Sequence, residues 1–387
     1  MDEDLIPGQG KATSAPNTTW PKLLGGLFLF SLVIVFVYWY EAGVGFTSST
    51  YYLLYTTQIL ENSMTPVPDV PPSHKVILMW TTFFGSPSYF WEPGSNCNYS
   101  CIYTYDRRML SNASLLIFHI RNTNSRDLPQ SNAPKVFFSL ESPYHTYFQK
   151  GKLKLDYFNY TMTYEEDSDM PQPYEYDVNK TYNGTARTIE EIREIISKKS
   201  KLALIAHSNC ATKSKRGDLL KALQKRINIT QVGRCVSRSC NSQCLDKLIE
   251  SHYFYFAFEN SICKDYTTEK FFRFTKYIVP VVLRRSFMPK RIPQDLYIAV
   301  DDFKNVNEFV DYLNLVANNH TLYEQYFNWS IEDKLPRIYD SKFYSMCHMC
   351  KMAHTLPPKQ IPDYRKVFGV DKCDGNFVRR FLNQKPV

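Results

Sequence analysis

The chain has 387 residues, of which 44% are hydrophobic, 22% charged and 15% aromatic, and only 14 are Gly. This balance excludes a disordered or collagen-like protein, and the length suits two domains of ordinary size. Lys and Arg number 46 against 38 Asp and Glu, and the net charge of +8 favours an anionic partner such as a nucleotide, a nucleic acid or a lipid surface.

The first predicted element is a membrane span at 23–40, LLGGLFLFSLVIVFVYWY, which has 18 residues and no charge. At about 1.5 Å per residue, such a helix extends roughly 27 Å, close to the thickness of the hydrocarbon core. Lys11 and Lys22 precede it and no Lys or Arg follows before Lys75, so the positive-inside rule predicts a cytosolic tail at 1–22. A cleaved signal peptide is the alternative, but the polar lead and the apolar run are both long for one.

The rest of the chain is then lumenal or extracellular, a topology that excludes nucleic-acid binding. Ten cysteines, an even number, favour disulfides in such a compartment. The C-x-x-C at Cys347 and Cys350 could instead supply half of a zinc site or a redox pair. Asn-x-Ser/Thr sequons beyond the span predict N-glycosylation at Asn98, Asn112, Asn159, Asn179, Asn183, Asn228, Asn319 and Asn328.

Residues 41–74 mix Ser, Thr and Tyr with a Pro-rich end, which predicts a stem between the membrane and the folded part. A first domain is predicted at 75–188 and a second at 189–387. Apolar, β-rich runs predict strands of the first domain at 76–84, 115–120, 136–140 and 155–163.

In the second domain, apolar strands alternate with helical patterns, as is typical of a doubly wound α/β domain with a mainly parallel sheet. Ligands of such sheets bind beyond the carboxyl ends of the strands. The predicted strands are 202–206, 254–258, 279–283 and 296–300, and the predicted helices are 189–199, 215–226, 268–277 and 306–317.

Three strand ends carry candidate residues. Glu141 follows the strand 136–140, and partial burial could hold the pKa of such a carboxylate near the working pH of a general base. Arg216 lies in the basic loop after 202–206, where a guanidinium could bind a phosphate bidentately. Glu269 and Lys270 open a helix after 254–258, and a helix start with a cation could cradle a diphosphate. For either of these two loops alone, a solvated, capped helix start is the more common explanation.

The run FYFAFENSICKDYTTEK at 254–270, followed by VPVVL at 279–283, closely resembles the signature of the α1,3-fucosyltransferases, which are GDP-fucose-dependent Golgi enzymes. This resemblance extends over about 75–350. Supporting matches are FSLESP at 138–143, MTYEEDSDMPQPY at 162–174, HSNC at 207–210, VGRC at 232–235 and YIAVDDF at 297–303.

The resemblance implies a type II Golgi membrane protein with a GT-B fold, in which two Rossmann-like domains face a central cleft, the first for the acceptor and the second for GDP-fucose. The implied reaction is inverting transfer of L-fucose in α1,3 linkage to a GlcNAc of a glycoprotein or glycolipid glycan. No metal is obligatory, although Mn²⁺ or Mg²⁺ could stimulate the reaction. By motif position, Glu141 is the general base, Arg216 and Lys270 meet the diphosphate, Glu269 holds the ribose, and Asn260 and Tyr266 line the donor site.

The sequence departs from the family pattern at Glu165, Glu166 and Glu175, on the acceptor side, so the acceptor stays open. One alternative is a GT-A glycosyltransferase that binds a metal through Asp167 and Asp169. Another is a membrane-anchored lectin or receptor that binds glycans without turnover.

Overall fold

A computed structural model describes most of the chain after the predicted stem. The predicted tail, the membrane span at 23–40 and residues 41–68 of the stem lie outside the described residues. Within the described part, no helix combines the length and the apolar character needed to cross a membrane. The described ranges are 69–87, 97–146, 152–174, 187–331, 341–355 and 357–384.

The first domain contains a five-stranded parallel sheet in the order β2-β1-β3-β4-β5. Most of its strand residues are buried, which explains why β1, β3 and β4 are nearly continuous apolar runs in the sequence. The strands are β1 (Lys75–Met79), β2 (Cys101–Thr104), β3 (Ala113–His119), β4 (Lys135–Ser139) and β5 (Tyr160–Thr163), and the short helix α1 (Pro143–Thr146) follows β4.

The second domain contains another five-stranded parallel sheet, in the order β10-β9-β8-β6-β7. The strands are β6 (Lys201–Ala206), β7 (Ile229–Val232), β8 (His252–Phe256), β9 (Val279–Val282) and β10 (Ile298–Ala299). The helices are α2 (Ile189–Ser197), α3 (Arg216–Leu223), α4 (Ser242–Ser251), α5 (Glu269–Phe272), α6 (Val306–Ala317), α7 (His320–Glu324) and α8 (Asn328–Ile331).

Both sheets have the same strand order, in which the second strand lies outside the first and the third to fifth strands follow on the other side. The connections therefore diverge between β1 and β3 in the first sheet, and between β6 and β8 in the second. Such a divergence opens a crevice at the carboxyl ends of the strands, where ligands of doubly wound sheets bind. The parallel, doubly wound second domain is confirmed.

Local signals explain where most helices begin. Thr188 and Glu191 form a capping box at the start of α2, and the Asn305 side chain accepts two N–H bonds at the start of α6. The predicted helix at 268–277 is wrong in length, because α5 ends at Phe272. Phe271, Phe272 and Phe274 all enter one hydrophobic core, and such close spacing does not follow the single apolar stripe of a surface helix.

The C-terminal segment does not belong to the second domain alone, in contrast to the predicted range 189–387. Helix α9 (Ser341–Thr355) packs on β1 of the first sheet. Tyr364 and Phe368, in and just after α10 (Tyr364–Val367), enter a first-domain core, whereas α11 (Phe377–Leu382) packs in the second domain.

All ten cysteines are paired, which confirms the predicted disulfides. The two cysteines of the C-x-x-C do not pair with each other and are not thiol ligands of zinc, because each bonds to a cysteine about 250 residues earlier in the chain. Cross-links over such long separations stabilise a fold chiefly by restricting the unfolded chain. The pairs are Cys97–Cys347, Cys101–Cys350, Cys210–Cys235, Cys240–Cys244 and Cys263–Cys373.

The predicted glycosylation of Asn159 does not fit the fold. Its side-chain oxygen accepts from the Lys135 N–H at 2.8 Å, and its amide nitrogen donates to the Lys359 carbonyl at 2.9 Å and to Gln360 Oε1 at 3.1 Å. A glycan takes one of the two amide hydrogens and would break this arrangement. Four other sequon asparagines, Asn98, Asn112, Asn228 and Asn319, are exposed, Asn328 is partly buried, and Asn179 and Asn183 lie outside the described residues.

We therefore expect Asn159 to be bare in the folded, glycosylated protein. Peptide mass spectrometry before and after glycosidase treatment in ¹⁸O water reports the occupancy of each sequon. Asn112, which is exposed, serves as the occupied reference within the same sample. Full occupancy at Asn159 would contradict the assignment of its amide to the fold.

Candidate active site

The loop after β4 and the loop after β8 meet at a buried contact between the two domains. The Ser142 hydroxyl donates to the Ser261 hydroxyl at 2.8 Å, and both side chains are fully buried. Glu141 immediately precedes the first of these serines, and Glu259 and Asn260 precede the second. The contact therefore brings the ends of two strands from different sheets to one place.

Glu141 is held at this junction by its own backbone. Its carbonyl accepts from the Ser139 hydroxyl at 3.2 Å and from the Thr146 hydroxyl at 3.1 Å. The carboxylate is 18% exposed and lies 3.8 Å from a guanidinium nitrogen of Arg121. Burial raises the pKa of Glu141, and the positive charges of Arg121 and Lys270 offset only part of that increase. A carboxylate with this burial and a raised pKa suits a general base.

Removing Arg121 should make Glu141 harder to deprotonate. The Arg121 charge lowers the pKa of Glu141, so Arg121→Met raises that pKa further and moves the acid limb of the kcat/KM profile to higher pH. The profile of Arg193→Met, which loses an exposed pair with Glu324 instead, should keep its acid limb. If the acid limb of the Arg121→Met profile lies at the same pH as that of the wild type, Glu141 is not the group that titrates there.

Lys270 is the centre of a charge cluster at the start of α5. Its ammonium lies 2.9 Å from Glu269 Oε1, 3.4 Å from Glu259 Oε2 and 3.1 Å from the Thr268 hydroxyl, with 15% of the side chain exposed. Burial opposes its charge, but the carboxylates of Glu259 and Glu269 outweigh burial and raise the pKa of Lys270. Lys270 is therefore a cation at every physiological pH, close enough to Glu141 to affect its ionisation.

Arg216 lies deeper than the sequence suggested. It is 2% exposed, and its two terminal nitrogens donate to the carbonyls of Phe258 at 2.6 Å and Asn209 at 2.9 Å. It thereby joins the loop after β6 to the end of β8, on the two sides of the crevice in the second sheet. Its charge also reaches Lys270, so both predicted diphosphate ligands contribute to the same positive field.

Tyr266 and Asn260 complete the set of predicted donor residues. The Tyr266 ring packs 5.0 Å from that of Tyr164 in the first domain. Burial raises the pKa of Tyr266 well above its ordinary value, and the Glu141 charge adds to the increase. The Asn260 Oδ1 atom is buried and has no hydrogen-bond partner among the described residues. That oxygen is a candidate acceptor for a polar hydrogen of a ligand.

Glu259 is a site residue that the candidate set omitted. Its Oε1 atom accepts from both the N–H of Thr268, at 2.9 Å, and the Thr268 hydroxyl, at 2.6 Å. Its position carries the same sequence signal as Glu141, because Glu259 directly follows the apolar run 254–258. The predicted diphosphate cradle at the start of α5 is wrong. This helix has only four residues, and the Thr268 N–H that would face a diphosphate is bonded to Glu259.

The GT-A alternative is wrong. The described residues form two parallel sheets, and both carboxylates of the Asp167-x-Asp169 triplet are engaged within the fold. Asp167 pairs with Lys264 at 2.6 Å, and Asp169 pairs with Lys359 at 2.5 Å while it accepts from the Thr161 N–H at 2.9 Å. The neighbouring departures from the family pattern also have local partners, since Glu165 pairs with Lys372 and Glu166 with Arg291.

Comparison with known proteins assigns both domains to one family. The family models described as "Fucosyltransferase, N-terminal" and "Glycosyltransferase family 10 (fucosyltransferase) C-term" match residues 72–175 and 196–367. Alpha-(1,3)-fucosyltransferase fut-1 of Caenorhabditis elegans is 32% identical over 315 residues, which are 78% of this chain and 70% of that protein. The 4-galactosyl-N-acetylglucosaminide 3-alpha-L-fucosyltransferase 9 of Rattus norvegicus is 32% identical over 308 residues, 76% and 81% of the two chains.

A solved structure of an alpha1,3-fucosyltransferase with GDP has the same fold, with a TM-score of 0.50 and 15% identity over 78% of this chain and 96% of that one. The order of the two sheets, the two family matches and the sequence relatives agree. This chain belongs to the α1,3-fucosyltransferases of glycosyltransferase family 10.

Proposed function

We propose that this protein transfers L-fucose from GDP-β-L-fucose, with inversion, in α1,3 linkage to a GlcNAc of a glycoprotein or glycolipid glycan. One observation carries the proposal. A first-domain carboxylate with a raised pKa, Glu141, lies within electrostatic range of Lys270 and Glu269 of the second domain. A base for the acceptor and a cation for the leaving nucleotide thus occupy the same junction.

In the proposed reaction, Glu141 takes the proton of an acceptor hydroxyl, and the oxygen attacks the anomeric carbon of fucose from the side opposite GDP. The bond to the β-phosphate oxygen breaks through an oxocarbenium-like transition state, and its electron pair leaves with GDP. General-base catalysis of this kind contributes about 10²–10⁴-fold to a rate. Because attack and departure are on opposite faces, the β-linked donor yields an α-linked product.

The departing GDP gains negative charge, which Lys270 and the more deeply placed Arg216 stabilise. In a site that largely excludes water, such preorganised cations act more strongly than in solution. We assign Glu269 to the ribose hydroxyls, since its side chain is 37% exposed and carries acceptor oxygens. Asn260 and Tyr266 line the same donor site. The GDP in the related solved structure is consistent with this choice of nucleotide.

The scheme takes its positive charge from side chains. Added Mn²⁺ or Mg²⁺ is then expected to stimulate transfer by screening the diphosphate, without being obligatory. The test is turnover after exhaustive chelation, compared with turnover after each ion is restored. Activity that disappears with chelator and returns only with Mn²⁺ would contradict the metal-independent scheme.

We further propose that the protein is a single-pass type II protein of the Golgi membrane with a lumenal catalytic part. The uncharged segment at 23–40, the basic residues before it and the exposed sequons support this topology. Relatives are named for different acceptors, a galactosyl-N-acetylglucosaminide in Rattus norvegicus and a glycoprotein in Drosophila melanogaster. The GlcNAc could therefore belong to a type 2 chain, to LacdiNAc or to an N-glycan core.

The test is a screen of the full-length, glycosylated protein with GDP-fucose against an array of defined glycans, followed by linkage analysis of the product. We expect fucose in α1,3 linkage on at least one GlcNAc-containing glycan, with release of one GDP per transfer. Glycan binding without release of GDP would favour the lectin alternative and contradict the proposal.

A further inference from the structure

We propose that Glu259 is a positioning residue that holds Lys270 in place for the diphosphate of the donor. This inference rests on the proposed function, since it assigns a role toward GDP-fucose. Glu259 contacts neither the acceptor base Glu141 nor the exposed rim of the site in the described contacts. It acts through two neighbours, Thr268 and Lys270.

The two oxygens of Glu259 have separate tasks. Oε1 accepts hydrogen bonds from both the N–H and the hydroxyl of Thr268. These bonds join the two ends of the polar loop between the β8 region and α5, nine residues apart. Oε2 lies 3.4 Å from the Lys270 ammonium. One side chain therefore fixes both the backbone that carries Lys270 and the charged end of Lys270 itself.

Burial raises the pKa of Glu259, and the Lys270 charge and the Thr268 donors offset only part of that increase. Among the described residues, the buried Oε2 atom has no hydrogen-bond partner, so the Lys270 ammonium at 3.4 Å is its ionic contact. The Glu259 side chain is 10% exposed, and a buried charge is costly unless it is paired and hydrogen-bonded. Apart from Glu259, the described ionic partner of Lys270 is Glu269, which is 37% exposed. A diphosphate arriving from the open side can displace the exposed Glu269, while the buried Glu259 keeps its contact with the ammonium.

Glu259 also supports the positive charge of Lys270. Burial alone lowers the pKa of a lysine, and the Glu259 charge is the largest influence that opposes burial at Lys270. Without this carboxylate, Lys270 loses both its fixed position and part of the support for its charge. A displaced ammonium pairs less well with a diphosphate.

A double-mutant cycle tests the inference by calorimetric titration of GDP into the full-length protein. The four proteins are the wild type, Glu259→Ala, Lys270→Ala and the double variant. If Glu259 acts through Lys270, Glu259→Ala weakens GDP binding by about tenfold or more, the scale of a charged hydrogen bond. The double variant then binds GDP no more than about twofold more weakly than Lys270→Ala, because the two effects are not independent.

Glu259→Gln separates the two tasks, because its amide oxygen still accepts from Thr268 while the charge beside Lys270 is lost. We expect this variant to raise the KM for GDP-fucose more than it lowers kcat. If Glu259→Ala does not fold, the cycle is run with Glu259→Gln. Glu166→Gln, which loses an ion pair with Arg291, is the matched control and should leave GDP affinity unchanged.

Additive effects in the cycle, or GDP affinity in both Glu259 variants equal to that of the wild type, would overturn the positioning role. These results differ from a failure of the proposed function. If the proposed function is wrong, the wild type itself binds no GDP. Wild-type binding together with additive effects removes only the role of Glu259.

Discussion

The Glu141→Gln variant is expected to lose fucose transfer by about 10²–10⁴-fold, the usual contribution of a positioned general base. Glutamine keeps the size and polarity of the side chain but cannot accept a proton at any working pH. GDP affinity should stay near that of the wild type, because the nucleotide is assigned to the second domain. Transfer is measured as released GDP under saturating acceptor, and affinity by calorimetry.

Glu165→Gln is the matched control for this variant. Glu165 is another buried first-domain carboxylate, whose pKa is raised by burial to about 7 although Lys372 lies 2.6 Å away. It has no assigned catalytic role, so transfer by the folded variant should persist. A Glu141→Gln enzyme that turns over at the wild-type rate would remove Glu141 from the role of base.

The Lys270→Ala variant is expected to weaken GDP binding by about 1.5–3 kcal/mol, which is the range for a hydrogen bond to a charged group. This corresponds to roughly 10–150-fold in Kd. The reason is the location of the ammonium, which is largely buried yet within electrostatic range of Glu141 and therefore of the reacting atoms. Calorimetry with GDP measures the loss directly.

Truncation of Lys270 also leaves Glu259 without its buried cation, so a lower melting temperature is expected as well. Affinity is therefore compared at a temperature where every variant is folded. Lys264→Ala, which loses an exposed pair with Asp167, controls for the loss of a positive charge near the site. Equal GDP affinity in the wild type and in Lys270→Ala would show that Lys270 does not bind the nucleotide and has only a structural role.

Elements with strong apolar patterns could be predicted from the sequence, and weak patterns could not. The prediction for α6 matched its bounds, 306–317, because its apolar stripe and its Asn305 cap agree. Strands β2 and β7 were not predicted. Each has only four residues, and most of these residues are only partly buried. A strand at the edge of a sheet needs fewer apolar residues and so leaves a weak signal.

The candidate site shows a similar division. Strand-end reasoning together with the family resemblance located Glu141 and Lys270, because the chemistry of such sites depends on where parallel strands end. The burial of Arg216, the role of Glu259 and the partners of Cys347 and Cys350 depend on contacts between distant segments. Sequence spacing alone carries no information on those pairings.

The proposed reaction depends on one arrangement, in which the second domain holds the donor beside a base from the first domain. The most direct measurement is calorimetric titration of GDP into the full-length, glycosylated wild-type and Glu141→Gln proteins. We predict saturable binding at one site per chain in both proteins, with similar affinity. The absence of any binding heat in both proteins, at several temperatures, would contradict the account.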